Sequence, residues 1–161
     1  IPANSLLEKG YDKVYVIDLQ AIGLRRPYND RKKIVVIKPS RKLGSILDFK
    51  KNDIRNNIKM GYYDTLRVLK EFDGKKYIFK KRGLWYYEYL LKSVNTKDKE
   101  EMMKFFGTKN TKRLVIKALE FVMKKENFTY FNIYKAKDVI KRIRYVDKNY
   151  GVYKFVKNMN V

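Results

Sequence analysis

Cysteine and histidine are both absent from the 161 residues of this chain. Without cysteine there are no disulfides, no thiolate metal sites and no cysteine nucleophile, and the absence fits a reducing compartment. Without histidine the chain lacks the commonest general acid and base and cannot build a Ser-His-Asp triad. Its own residues therefore exclude the usual zinc chemistry and histidine-based catalysis.

Long apolar runs are missing as well. No uninterrupted apolar stretch approaches the roughly 20 residues that a bilayer-spanning helix needs, and no signal-peptide pattern opens the sequence. We therefore expect a cytoplasmic or peripheral membrane location. Because the chain begins with Ile1 and not with Met, we also expect a piece cut or processed from a longer protein.

Positive charge is the most abundant feature. The formal net charge is +22, from 39 Lys and Arg against 17 Asp and Glu. Such an excess predicts a polyanionic partner, either nucleic acid or an anionic membrane. Lysine is, however, spread along the whole chain together with Asn, Ile, Tyr and Phe, which have A/T-rich codons. Genome composition and ordinary solvated helix faces explain the charge equally well, so charge alone does not decide the function.

The clearest structural pattern is a pair of strands followed by a long helix. Residues 13–19 predict a strand buried on both faces of a parallel sheet, and residues 34–37 predict a second strand that ends before Pro39. Asn52 or Asp53 is expected to cap the helix that follows. Its apolar stripe consists of Ile54, Ile58, Tyr62, Leu66 and Leu69. Gly61 beside the stripe would let this helix approach the sheet closely.

The chain changes character after the turn predicted at Asp73 and Gly74. A short extended segment at 75–79 precedes helices predicted from Leu84, from Asn95 or Thr96 to Gly107, and from Thr111, and a last helix that Asn132 would cap. Residues 152–156 fit either helix or strand. The predicted fold class is α/β, with residues 1–74 as the α/β portion and residues 75–161 as a basic, mostly α-helical extension.

The first 70 residues or so resemble the C-terminal part of bacterial patatin-like phospholipase domains. The agreement lies in the order and spacing of turn residues and strands: Ile1-Pro2, Leu6, Leu7, residues 9–12 (KGYD), 14–18 (VYVID) and 34–40 (IVVIKPS), Leu43, Gly44, Asp48, Phe49, Ile58, Gly61, Tyr62, Asp64 and Thr65. The resemblance implies two parallel strands and a helix of a three-layer parallel-sheet fold. It does not extend to residues 75–161.

The same resemblance implies ester hydrolysis by a Ser-Asp dyad, without a cofactor. The family carries its serine in a Gly-x-Ser-x-Gly turn, its acid in an Asp-Gly-Gly motif and its oxyanion hole in a glycine-rich loop. None of these motifs occurs in this chain, and Pro2 would follow the missing Asp motif. We therefore expect the catalytic residues to lie upstream of Ile1, in a parent that acts on phospholipid or another lipid ester. The chain alone is predicted to be inactive.

The candidate catalytic residues within the chain are better explained as caps and turns. The serines are Ser5, Ser40, Ser45 and Ser93, of which Ser40 lies where open α/β sheets place ligands. The acids Asp12, Asp18, Asp48 and Asp64 are scattered, which favours solvated or capping roles. Asp48, Asn52 and Asp53 come nearest to an oxygen cluster for Mg²⁺ or Ca²⁺, but helix capping explains them better. We predict no catalytic, metal or cofactor site.

One group of residues has the composition of an anionic lipid contact: Arg25, Arg26, Lys80, Lys81, Arg82 and Trp85. The simpler interpretation is that Trp85, Tyr86, Tyr89 and Leu90 pack the extension against the α/β portion, and we favour it. A third interpretation is an aromatic platform for single-stranded nucleic acid. If the sheet continues upstream, its strands would expose an apolar face, so we also expect an upstream catalytic segment or an oligomer partner.

Overall fold

The computed structural model describes residues 2–19, 27–44, 50–69 and 72–161. The chain is a mixed α/β protein that divides into two compact units, Ile1–Lys70 and Glu71–Val161. In the described ranges, no helix has both the length and the apolar character needed to cross a membrane.

The first unit contains a parallel strand pair followed by a long helix, as predicted. Its elements are α1 (Ala3–Glu8), β1 (Val14–Ile17), β2 (Ile34–Ile37) and α2 (Lys51–Val68). The two strands pair in parallel, with Val14 opposite Ile34 and Ile17 opposite Ile37. Parallel neighbours need a crossover connection, which here spans the residues between Ile17 and Ile34.

Burial of β1 on both faces was the wrong expectation. Val14 and Val16 point inward and pack with Ala3 of α1, whereas Tyr15 and Ile17 point outward, and Ile17 is 68% exposed. Successive strand residues face opposite sides of a sheet, so covering one side of β1 hides only alternate residues of that strand. The described part of this unit therefore leaves the other side of β1 exposed at Tyr15 and Ile17, although Ile37 beside Ile17 is buried.

Helix α2 also differs from its prediction. It begins at Lys51 after an extended Lys50, with no side-chain cap, so Asn52 and Asp53 lie inside the first turn. Its buried residues are Met60 and Asp64, and Ile58 of the predicted inward stripe is 68% exposed. A Cβ at Gly61 would meet no described atom within 4 Å, so the expected close approach to the sheet is not present. Ile54, Tyr62 and Leu69 are exposed as well.

The second unit surrounds a buried helix with a small sheet and shorter helices. Its elements are β3 (Phe72–Asp73), β4 (Ile78–Lys80), α3 (Leu84–Leu90), α4 (Thr96–Phe106), α5 (Thr111–Lys125), β5 (Ile133–Tyr134), α6 (Ala136–Arg144) and α7 (Gly151–Lys157). The sheet order is β3-β4-β5, with the first pair antiparallel and the second parallel. Helix α5 supplies the centre of the core through Leu114, Val115, Ala118, Leu119, Val122 and Met123.

Several helix ends follow their sequence signals. The Asn95 side chain accepts the backbone N–H of Asp98 at 2.7 Å, and Gly107, at φ +57°, ends α4 in the left-handed conformation. Helix α5 begins at Thr111 as predicted. The cap predicted at Asn132 is wrong, because β5 follows that residue and α6 begins only at Ala136.

The β3–β4 turn is built around Gly74 and Glu120. Gly74 has φ +98°, and a Cβ there would lie 2.2 Å from the carbonyl oxygen of Tyr77. One carboxylate oxygen of Glu120, on α5, accepts the backbone N–H groups of Lys75, Lys76 and Tyr77 at 2.6, 2.6 and 3.1 Å. The core helix therefore fixes the turn through a single side chain.

Candidate functional site

The carboxyl ends of β1 and β2 bring together an acid and a base. Asp18 follows β1 and Lys38 follows β2, and parallel strands end at the same edge of a sheet. The backbone N–H of Asp18 donates to the carbonyl oxygen of Ile37 at 2.9 Å, and Lys38 Nζ lies 3.6 Å from Asp18 Oδ2. Asp18 is buried, so this edge holds a carboxylate that lysine partly neutralises.

A second buried carboxylate joins α2 to the loop after β2. Asp64 Oδ2 accepts the backbone N–H of Ser40 at 2.8 Å, and its other oxygen pairs with the guanidinium group of Arg67. Ser40 thus contributes its backbone to this contact. Both oxygens of the Asp64 carboxylate are thus occupied by structural partners. The cluster therefore positions α2 and shows no pairing of a nucleophile with a base.

The other candidate catalytic residues do not converge. Ser93 donates its hydroxyl to the carbonyl oxygen of Asn158 at 2.5 Å, which is a structural contact. Asp12 is exposed, 3.9 Å from Lys33. Ser45 and Asp48 lie outside the described residues. Within the described ranges, no group of three or more His, Cys, Asp and Glu residues could hold a metal ion.

In the second unit, helix α3 exposes three apolar side chains beside basic residues. Leu84 is 52%, Trp85 69% and Tyr89 42% exposed. Trp85 and Tyr89 are four residues apart and so share one helix face. We call Leu84, Trp85, Tyr89 and the adjoining Lys80, Lys81 and Lys137 the aromatic–basic face.

This exposure divides the four residues that were expected to pack inward. Tyr86 and Leu90 are buried in the core of the second unit, whereas Trp85 and Tyr89 are not. Burial raises the pKa of the Tyr86 hydroxyl, and a hydrogen bond from the backbone N–H of Lys137 partly opposes that shift. The inner side of α3 is therefore buried, but in the core of the second unit itself and not in the expected contact with the α/β portion, and the outer side is exposed.

The predicted lipid-contact residues fall into three groups. Lys80 and Lys81 are exposed. The guanidinium carbon of Arg82 lies 5.6 Å from the centre of the Tyr86 ring. Arg25 and Arg26 lie outside the described residues. The sequence did not suggest Lys137, whose Nζ lies 4.7 Å from the centre of the Tyr89 ring.

A largely buried acid, Asp73, fixes the entrance to α3. The Asp73 carboxylate accepts the Arg82 N–H at 3.0 Å and the Tyr87 hydroxyl at 2.9 Å, and it lies 2.5 Å from Lys112 Nζ. The same Lys112 ammonium donates to the Arg82 carbonyl oxygen at 3.2 Å. Both the backbone N–H and the carbonyl group of Arg82 are therefore held in place. These contacts fix the backbone shortly before Trp85.

The chain was compared with protein families, curated proteins and solved structures. No family model, curated protein or solved structure matches it.

Two buried tyrosines of the second unit should make it sensitive to alkali. Burial raises the pKa of Tyr77, with Tyr130 nearby adding to the shift, and burial together with Asp73 raises the pKa of Tyr87. A raised folded-state pKa gives stability that is complete below the unfolded pKa of about 10 and declines above it. We expect unfolding free energy to fall above pH 10 by up to about 1.4 kcal/mol per pH unit for each tyrosine.

Urea unfolding followed by circular dichroism between pH 8 and pH 11.5 measures this decline. In Tyr87→Phe the fall of unfolding free energy with pH above pH 10 should be less steep, by the amount that corresponds to about one proton. Tyr145→Phe is the control, because the Tyr145 side chain is 92% exposed. An unchanged slope in Tyr87→Phe would contradict the prediction.

Proposed function

We propose that residues 1–70 form the C-terminal part of a patatin-like lipid acyl hydrolase, with the catalytic serine and aspartate supplied by an upstream part of the parent. One observation carries the proposal: the parallel pair β1–β2 leaves one face of β1 exposed at Tyr15 and Ile17. Parallel sheets are normally covered on both faces and are larger than two strands. A unit of this kind is typical of the margin of a larger sheet.

The exposed stripe of α2 supports the same proposal. Ile54, Ile58 and Tyr62 recur at steps of four residues on one helix face, yet all three are exposed. A regular apolar stripe indicates a face that packs against another layer. In the proposed parent, upstream segments would cover both this stripe and the open face of β1.

The proposed reaction is that of the resembled family. The parent's serine would attack an ester carbonyl to form an acyl-enzyme, and water would then hydrolyse it, with no cofactor. Residues 1–70 would provide framework: Asp64 and Arg67 would hold α2 against the edge of the sheet. Residues 75–161 would form a basic extension that orients the parent on a membrane.

The coding sequence upstream of Ile1 tests the hydrolase proposal. We expect an Asp-Gly-Gly or Asp-Gly-Ala motif a few residues before Pro2 and a Gly-x-Ser-x-Gly further upstream. The longer polypeptide should then hydrolyse a short p-nitrophenyl ester, and replacing its motif serine by alanine should abolish turnover. The present chain is the matched control and should show no turnover above the blank. Absence of both motifs would refute the proposal.

The rival is a non-enzymatic basic module that binds nucleic acid or an anionic membrane. The exposure of Trp85 and Tyr89 among lysines is the observation that favours it. Binding of DNA or RNA, compared with binding of anionic liposomes across a range of salt concentrations, separates the two ligands. Tight, steeply salt-dependent binding of DNA or RNA, without preference for anionic liposomes, would favour the nucleic-acid form of this rival.

A further inference from the structure

We propose that the aromatic–basic face binds anionic phospholipid bilayers, with Leu84, Trp85 and Tyr89 entering the interface and the lysines at headgroup level. The proposal rests on the membrane-facing role given above to the extension, but not on the hydrolase assignment. All of its residues belong to the second unit.

The apolar tip of the face lies at the start of α3. Leu84 and Trp85 are its first two residues, and both are more than half exposed. A Cβ at Gly83 would lie 2.9 Å from both Cδ1 and Nε1 of the indole, so the ring lies directly over the backbone there. Tryptophan and tyrosine are enriched where membranes meet water, because one part of each ring is apolar and another is polar.

Lysines accompany these apolar residues. Lys80 and Lys81 are exposed and are separated from Leu84 by Arg82 and Gly83, and the Lys137 ammonium lies over the Tyr89 ring at 4.7 Å. An ammonium group on an exposed aromatic ring can reach headgroup phosphates while the ring contacts acyl chains. Each lysine near an anionic surface strengthens binding about fivefold. The face therefore combines the two contributions that peripheral membrane binding needs.

Leu84 distinguishes a bilayer from a nucleic acid. Aromatic residues beside lysines would suit either ligand, because bases stack on rings. An aliphatic side chain offers no ring for stacking, but it gains free energy when it enters hydrocarbon. Its position next to Trp85 on the exposed tip therefore favours the bilayer.

The face is also ordered before any ligand binds. Asp73 and Lys112 hold both main-chain polar groups of Arg82, one residue before Gly83. A surface that is already fixed loses little conformational entropy on binding. Glu88 is the one acid among the described residues of α3, and its side chain is exposed. Its charge would weaken binding to an anionic surface.

The single tryptophan of the chain is Trp85, so its fluorescence reports on this face alone. We expect its emission to shift to the blue, and to be quenched by brominated acyl chains, when the chain meets vesicles of phosphatidylcholine with phosphatidylserine. Pure phosphatidylcholine vesicles should give a much smaller response. The partition coefficient should fall as salt rises, because surface charges are screened.

Variants test each part of the face by vesicle co-sedimentation. The pair Lys80→Gln with Lys81→Gln should weaken binding about 30-fold. The matched control, Lys97→Gln with Lys109→Gln, removes two exposed lysines elsewhere in the unit and should change binding much less. Leu84→Ala should weaken binding about tenfold, and Glu88→Gln should strengthen it about fivefold. Circular dichroism confirms that each variant is folded.

Three results would overturn the proposal. They are no blue shift with anionic vesicles, equal losses in the two lysine pairs, or single-stranded RNA binding that exceeds vesicle binding and is insensitive to Leu84→Ala. The last result would show that the aromatic–basic face binds nucleic acid and not a bilayer. None of them affects the hydrolase test, which depends on motifs upstream of Ile1, and failure of that test leaves the vesicle measurements unchanged.

Discussion

Replacing Glu120 with alanine is expected to lower the unfolding free energy of residues 71–161 by about 3 kcal/mol. One Glu120 oxygen accepts three backbone N–H groups of the β3–β4 turn, from Lys75, Lys76 and Tyr77. Hydrogen bonds to a charged acceptor are worth more than neutral ones, and the Tyr77 amide is buried where water cannot easily replace the carboxylate. The loss should therefore exceed that of an ordinary surface substitution.

Hydrogen exchange locates this effect. In Glu120→Ala the amides of Lys75, Lys76 and Tyr77 should lose protection before the rest of the unit does. Glu120→Gln keeps an acceptor oxygen without the charge and should recover about half of the lost stability. The control is Glu101→Ala, because Glu101 is an exposed residue of α4. Equal effects of the alanine substitutions at 120 and 101 would show that the turn does not depend on this carboxylate.

The role of Glu120 illustrates what the sequence could not reveal. The period of Leu114, Val115 and Ala118 correctly predicted the inward face of α5, because apolar spacing alone defines a helix face. Glu120 lies on the same helix, but its partners are more than 40 residues away in the chain. A charged residue on a buried face has no local signal that names its partner.

In the first unit the sequence predicted the strands and the helix but not which of their faces are buried. The residues of β1 and β2 predicted strands, and the strands form in parallel as expected. The stripe on α2 predicted a helix face correctly, but it could not say whether the described part of the chain would cover that face. Burial depends on neighbouring layers, and the described residues leave Ile58 and Ile17 each 68% exposed. In the proposed parent, upstream segments would cover both residues.

The sequence and the structure contribute different residues to the aromatic–basic face. The run from Lys80 to Trp85 suggested a lipid contact, and the exposure of Trp85 agrees with an accessible surface. Lys137 was missed, because it is distant from Tyr89 in the sequence and lies over that ring only in the folded unit. Asp73 was assigned only a turn, although it anchors Arg82 and Lys112. Contacts between residues that are distant in the sequence can be identified only in the folded structure.

Asp64→Ala should be the most destabilising single substitution in the first unit, at about 4 kcal/mol. Asp64 is buried, and its two oxygens bind the Ser40 N–H and the Arg67 guanidinium group. The Arg67 side chain is only 12% exposed, so removing the carboxylate leaves a largely buried positive charge without this counterion. Hydrogen exchange followed by mass spectrometry on peptides from residues 34–44 and 51–69 measures the loss separately from the second unit.

The double variant Asp64→Leu with Arg67→Leu separates the charge effect from the loss of a contact. Replacing a buried ion pair by apolar residues is often nearly neutral, whereas removing one partner is costly. The double variant should therefore be more stable than Asp64→Ala, with a remaining deficit of about 1–2 kcal/mol from the unsatisfied Ser40 N–H. Asp12→Ala is the control, because the Asp12 side chain is fully exposed at 100%. If the double variant were as unstable as Asp64→Ala, the buried charge would not be the cause, and Asp64 would act mainly by holding the strand-end loop that carries Ser40.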